Sequence, residues 1–357
     1  MIADAVGAVL LAGITLYAVF GGADFGGGLW DLLAGSDSRG WAPRDLIDQS
    51  ITPVWEANHV WLVFDLVIFW TAFPHAFASV MTTAALPLAI ALGGIVLRGA
   101  GFAFRKEITD LRFLRVAGGI FALSSLVAPF FMGVVIGAIA TGGVPADASQ
   151  ASQSSWTNVT SLLIGFLFVA ACAYLAAVYL TGEASESGSR ELEAYFARRG
   201  QLASMLTGAL SLGLLAELHV SNPLLYSRLT GRSLPLVIVA GLCGVVTFAL
   251  LREGWLRVKL VRVVAALGVA AVIWGWGIAQ YPVLLPGTAT TIYNAGAPPS
   301  TLDAVLVVFV IAIVLIVPSF ALLFTLQGRR LLKTDESVME SVMDSAGYLS
   351  ANDGRHP

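Results

Sequence analysis

The stretch Pro53–Trp70 reads PVWEANHVWLVFDLVIFW. Pro53 stands where a first-turn proline is tolerated, and Thr52 before it suits an N-cap. The segment then stays apolar for the depth of a bilayer, which predicts a spanning helix. Glu56, His59 and Asp65 interrupt it, and each can carry or exchange a proton. An ionisable group in a spanning helix costs roughly 3 kcal/mol or more, so it turns toward protein or water rather than lipid. The expectation is a helix that lines a proton-handling path.

The apolar pattern repeats along the rest of the chain. Of 357 residues, 57% are hydrophobic and 12% charged, with a mean hydropathy of +0.82. That leaves no room for a separate soluble domain. The fold class expected is all-α, a polytopic membrane protein with nine spans. They run roughly 2–22, 53–73, 75–97, 114–140, 157–181, 201–218, 234–251, 260–280 and 302–326, with a polar tail over 327–357. Only Phe73-Pro74-His75 separates the second span from the third, which predicts a tight hairpin. The spacing lets helices one to four and five to eight form two bundles, with the ninth peripheral. No clear internal similarity accompanies that spacing.

Orientation follows from the basic residues. Of the 20 lysines and arginines, 18 fall in the odd-numbered connections and the tail, and two in the even ones. The positive-inside rule then puts the N-terminus outside and the C-terminus in the cytoplasm. The first segment lacks a basic leader and a small-residue cleavage site, so it is expected to be retained. A net charge of −3 points to no nucleic-acid partner.

The glycine-rich GGADFGGG, Gly21–Gly28, reads as a tight turn at the inner membrane edge, with Asp24 exposed in it. The basic run Arg98–Arg115 reads as a topological signal that keeps its loop inside. Gly182–Gly200 suits a short amphipathic segment. Gln280–Asp303 holds four prolines and two tyrosines, which suggests an ordered external cap. Cys172 and Cys243 lie in apolar segments without a CxxC pattern, so they read as packing residues.

Within the second helix, Glu56 and His59 are three apart and share a face near the inner end. Asn58 and Asp65 are seven apart and share another. Asp65 lies about 13 Å deeper than Glu56 at ~1.5 Å per residue. A ladder of carboxylate, imidazole and carboxamide can bridge protons through water. The plainer reading, strongest for His59, is a polar patch satisfied by a neighbouring helix. Trp55 and Trp70 match the interfacial belts, whereas Trp61 lies deeper and needs a partner for its N–H. His75 fits a solvated turn, and Glu217 and His219 a capping or surface role. The four histidines give no axial pair for haem, and no zinc spacing appears.

These residues resemble subunit II of cytochrome bd-type quinol oxidases. The resemblance rests on ADFGGG (Ala23–Gly28), ITPVWEANHVWLV (Ile51–Val63), LRGAGFAFR (Leu97–Arg105), GWGIAQYPVLLP (Gly275–Pro286), NAGAPPSTL (Asn294–Leu302) and VPSFALL (Val317–Leu323). It covers essentially the whole chain. It implies two four-helix bundles plus a peripheral helix, paired with a haem-bearing subunit I in the membrane of a prokaryote. It implies an enzyme that oxidises quinol and reduces O₂ to water, with two haems b and one haem d in the partner. No cofactor or metal is implied in this chain. A small accessory subunit, membrane lipids and a structural quinone remain open. The family's proton-path acid falls on Glu56 and its glycine-loop aspartate on Asp24, with Asn58 in the motif. Three features depart: glutamate where aspartate is common, His59 after Asn58, and Asp65 outside the pattern. They mark a divergent branch.

A second function class is an ion-coupled secondary transporter with the same helix at its coupling site. No paired broken segments support it. Haem-bearing preparations with a second membrane chain would favour the oxidase.

Overall fold

The computed structural model describes residues 1–35, 38–51, 55–107, 111–152, 154–253 and 258–328. It has a first unit, Met1–Val305, and a second, Leu306–Pro357. The first opens with α1 (Ile2–Leu33), α2 (Ser38–Ile51) and α3 (Trp55–Ala72). The short α4 (Pro74–Thr83) follows, then α5 (Ala85–Glu107) and α6 (Leu111–Ala140). Next come α7 (Val159–Glu186), α8 (Arg190–Ser221), the short α9 (Pro223–Thr230), α10 (Leu234–Glu253) and α11 (Val258–Gln280). The last helix, α12 (Pro299–Gly328), begins in the first unit and carries the described part of the second. There its Val307, Ile311, Val314 and Leu315 are exposed, a surface suited to an apolar solvent.

Among the described residues eight helices are long and apolar enough to cross a membrane, and Asn58–Ala72 is a shorter apolar helix. No strand forms among them beyond one isolated bridge, Val283 with Thr291. Thr52 and Pro53, expected to start the second span, lie outside the described residues.

α1 packs against α3, α6, α7 and α11. It is also longer than expected. The glycine-rich segment is not a turn but the last third of this helix. The reason is packing. A Cβ on Gly26 would fall 1.9 Å from the Cys172 carbonyl oxygen of α7, and one on Gly28 would fall 2.2 Å from Ser125 Oγ of α6. Facing them, α7 offers Ala173, Ala176 and Ala177, all buried. Small residues on both helices let the backbones approach, as in other membrane helix pairs. Trp30 Nε1 then donates to the Ala173 carbonyl at 2.9 Å, fixing the end of α1 on α7.

The third span is also corrected. α4 ends at Thr83 and α5 starts at Ala85, so 75–97 is not one helix, although only Phe73 separates α3 from α4. Pro87 supplies the cause. It has no N–H for the Thr83 carbonyl, which would be its partner in a continuous helix. α4 instead packs beside α3, α5 and the Ala148–Gln150 turn, and its Ser79 donates to the Ala146 carbonyl at 3.2 Å. Ten residues at ~1.5 Å each are too few to cross a bilayer. The Arg98–Arg115 loop is helical at both ends, with Arg98 well inside α5. Most of Gly182–Gly200 is helix too: α7 stops at Glu186, Gly188 turns at φ +79°, and Ser189 caps α8.

The two halves follow one pattern. α1 packs on α3, and α7 on α8; α1 on α6, and α7 on α11; α5 on α6, and α10 on α11. In each half a short proline-led helix, α4 or α9, follows the second long helix. The segment 280–303 forms an ordered cap, as expected. Ile292 N donates to the Pro282 carbonyl at 3.0 Å, and Ala297 N to the Ala72 carbonyl at 2.8 Å. Tyr281 and Tyr293 both donate to Asp4 Oδ1, at 3.0 and 2.8 Å. Arg232 donates to the carbonyls of Ala279 and Tyr281.

A candidate proton path between α1, α3 and α5

Among the described side chains of α3, those buried are Asn58, Trp61, Asp65, Ile68 and Ala72, a three-four spacing that makes one stripe. Val60, Val63, Val67 and Trp70 are exposed. The helix is thus turned inside out relative to a soluble one, apolar outward and polar inward. The stripe faces α1. Asn58 Nδ2 donates to the Phe20 carbonyl at 3.4 Å. The Asp65 carboxylate lies against Gly13, where a Cβ would fall 2.0 Å from its Oδ1. Residues rise on one helix as they fall on the other, so α1 and α3 run antiparallel. This register puts position 56 level with Gly22 of α1.

His59 stands beside the stripe. Its ring meets Tyr17 at 6.2 Å and Phe25 at 6.1 Å, both edge to face. Trp61 is buried and its ring meets Phe64 at 6.1 Å. The side chain of Glu56 lies outside the described residues.

Asp24 differs from its expected place. It is not an exposed loop carboxylate but 3% exposed, inside α1. Arg98 of α5 is 2% exposed and grips it with both terminal nitrogens: Nη2 to Oδ1 at 2.6 Å and Nη1 to Oδ2 at 3.1 Å. Nη2 also donates to the Asp24 carbonyl at 3.1 Å, and Nε to Ser125 Oγ at 3.0 Å. The guanidinium lies 5.1 Å from the centroids of both Phe25 and Phe121. A planar donor fork held between rings is arginine chemistry that lysine does not reproduce. The turn of helix holding Asp24 is therefore clamped to α5 and α6.

Sequence reading brought Asp24, Asn58, His59 and Asp65 to this seam but missed Arg98, Ser125 and Tyr17. A signal for Arg98 existed. It stands alone in the apolar run GGIVLRGAGF, Gly93–Phe102, and a lone charge at that place asks for a buried partner. His75 is exposed, but in the first turn of α4 rather than in a connecting turn. Glu217 accepts from Thr160 at 3.3 Å, and His219 packs on Tyr226 at 4.7 Å. Cys172 is buried and reduced, and Cys243 is partly exposed.

A cavity of about 250 Å³ between α5 and α6 is lined by Ile90, Gly93, Gly94, Leu97, Ile120, Leu123, Ser124 and Val127. These side chains offer iron no nitrogen or sulfur, so the cavity does not fit a haem. Among the described residues no cluster of three or more His, Cys, Asp or Glu is set to hold a metal.

The family model described as cytochrome bd terminal oxidase subunit II matches residues 3–327. The chain belongs to that family. It is 26% identical over 242 residues to cytochrome bd ubiquinol oxidase subunit 2 of Bacillus subtilis, which covers 66% of this chain and 68% of that one. It is 28% identical over 181 residues to cytochrome bd-I ubiquinol oxidase subunit 2 of Escherichia coli K12, 48% of this chain and 46% of that one. In fold it matches the structure of bd oxidase from Geobacillus thermodenitrificans, with a TM-score of 0.66 and 24% identity, over 91% of this chain and 98% of that one. As a bd oxidase subunit II, the chain is an integral membrane component of an oxidoreductase complex of electron transport and aerobic respiration. Haems and quinol belong to that complex, and a subunit I is its partner.

Proposed function

We propose that this chain is the haem-free subunit of the oxidase, that it scaffolds the haem-bearing subunit I, and that it carries cytoplasmic protons toward the site where O₂ becomes water. The observation that supports this is the polar seam on α1: Asn58, His59 and Asp65 follow one another up α3, with Asp24 clamped by Arg98 at its lower end. Water enters beside Asp24, and Glu56, level with Gly22, takes the proton first. His59 or Asp65 passes it on. Asp24 itself, held by two guanidinium N–H groups, anchors the mouth of the path. The four-electron reduction of O₂ consumes four protons, and quinol oxidation in the partner supplies the electrons.

The N-terminus lies outside and the tail in the cytoplasm of a prokaryotic cell membrane, in keeping with the basic residues. Family membership favours this reading over an ion-coupled transporter. The test is Glu56→Gln in the purified complex. The expectation is slower O₂ consumption and less charge moved per O₂, with haem spectra intact. Normal turnover with normal charge movement removes Glu56 from the path.

A further inference from the structure

Among the described residues, Asn58 Oδ1 on the α1–α3 seam has no hydrogen-bond partner, and neither do two further atoms there: Oδ1 of Asp65, 9% exposed, and the hydroxyl of Tyr17, 6% exposed. Leaving such groups buried and unmatched is unfavourable, more so for a charge. The last two lie close along one interface. Tyr17 stands one turn along α1 from Gly13, against which the Asp65 carboxylate rests. By the antiparallel register Tyr17 is level with Trp61, between Asn58 and Asp65. Its ring touches His59 at 6.2 Å and Phe25 at 6.4 Å. It stands within electrostatic range of Asp24 and Arg98 on one side and Asp65 on the other.

We propose that Tyr17 is a relay residue linking the lower end of the seam to Asp65, its hydroxyl and the Asp65 carboxylate holding a water between them. This rests on the proton-path reading and adds a step that leads away from the family's acid position. The chemistry balances without any oxidant. The bridging water gives a proton to Asp65, forming its carboxyl O–H. Tyr17 donates its hydroxyl proton to the hydroxide so formed. A water arriving from the His59 side reprotonates Tyr17 and takes up the incoming proton from Glu56. One proton has advanced, and Tyr17 and both waters are restored. A single buried carboxyl at Asp65 can then hold the proton as a neutral group before release.

The test uses the two-subunit complex in proteoliposomes. Tyr17→Phe keeps the ring and its contacts and removes only the hydroxyl. It is expected to slow the proton-uptake phase of O₂ reduction about tenfold or more, the scale of a lost proton-transfer group, with haem spectra and melting unchanged. Asp65→Asn should slow the same phase, and the double variant should be no slower than the slower single one. Infrared difference spectra should show a carboxyl band that Asp65→Asn abolishes and Tyr17→Phe shifts. Uptake at the normal rate in Tyr17→Phe overturns the proposal, and so does additive slowing in the double variant. Should Tyr17→Phe fail to assemble, the infrared band decides: no carboxyl band lost in Asp65→Asn overturns it. Glu56→Gln separates the two readings. If it alone slows uptake, the path stands and Tyr17 is outside it; if neither slows uptake, both fall.

Discussion

Asp24 and Arg98 show how one residue pair decides what a sequence motif means. Both are almost fully buried, and all three guanidinium nitrogens donate. Forming such a pair is close to neutral because desolvation offsets attraction, but breaking it strands a buried charge at about 3–5 kcal/mol. Arg98→Ala is therefore expected to lose that much stability, or to yield no complex at all. Asp24→Asn should be nearly as harmful, since Arg98 stays charged. Arg98→Lys should rescue little, because an ammonium cannot make the two parallel bonds or lie flat between Phe25 and Phe121. The midpoint of thermal unfolding of the solubilised complex measures all three. A melting point for Arg98→Lys equal to the parent's would show that a point charge suffices.

At the scale of elements, the α1–α7 seam depends on absent side chains. A methyl at Gly26 meets the backbone of α7, which cannot swing aside as a side chain can. Gly26→Ala should cost about 1–3 kcal/mol or more by forcing the helices apart. Gly118→Ala on α6, with open space around its Cβ position, should cost nothing measurable and serves as the control. Comparing the two melting points is the check. The 280–303 cap is held differently, by Asp4 accepting from Tyr281 and Tyr293. Its bond with Tyr281, and then that to Asp4, hold the Tyr293 phenol above its ordinary range. A folded value above the unfolded one means that the tie is fully present below about pH 10 and is lost as pH rises through the folded value. Limited proteolysis of the 280–303 segment should thus be flat through neutral pH and rise in alkali. Tyr293→Phe should raise cleavage at neutral pH and flatten the alkaline rise.

At the largest scale, the first unit, Met1–Val305, is two similar halves meeting along α1 and α7. Each half carries the same device after its second long helix, a short proline-led helix. The likeness is spatial and left no mark in the letters. Neighbours in a membrane helix pair need matching size rather than matching identity. Orientation belongs to this scale as well. A single cysteine at Ser149, in a background without Cys172 and Cys243, should react with an impermeant maleimide added to intact cells, whereas one in the 327–357 tail should react only after the membrane is opened. The reverse pattern would invert the assignment of the two faces and move Glu56 to the wrong side for cytoplasmic uptake.

The letters alone determined that the chain lives in a bilayer and that α3 turns polar groups inward. Those properties depend on apolar length and helical period, which are local. Packing settled what lies between distant residues. The Gly21–Gly28 segment suits a turn or a close helix contact equally well by composition, and only the small face of α7 selects the second. Arg98 reads as a loop charge until Asp24, 74 positions away, is seen opposite it. Tyr17 carries no signal in the sequence. Its place beside His59, Asp65 and Asp24 exists only because two antiparallel helices bring their registers together.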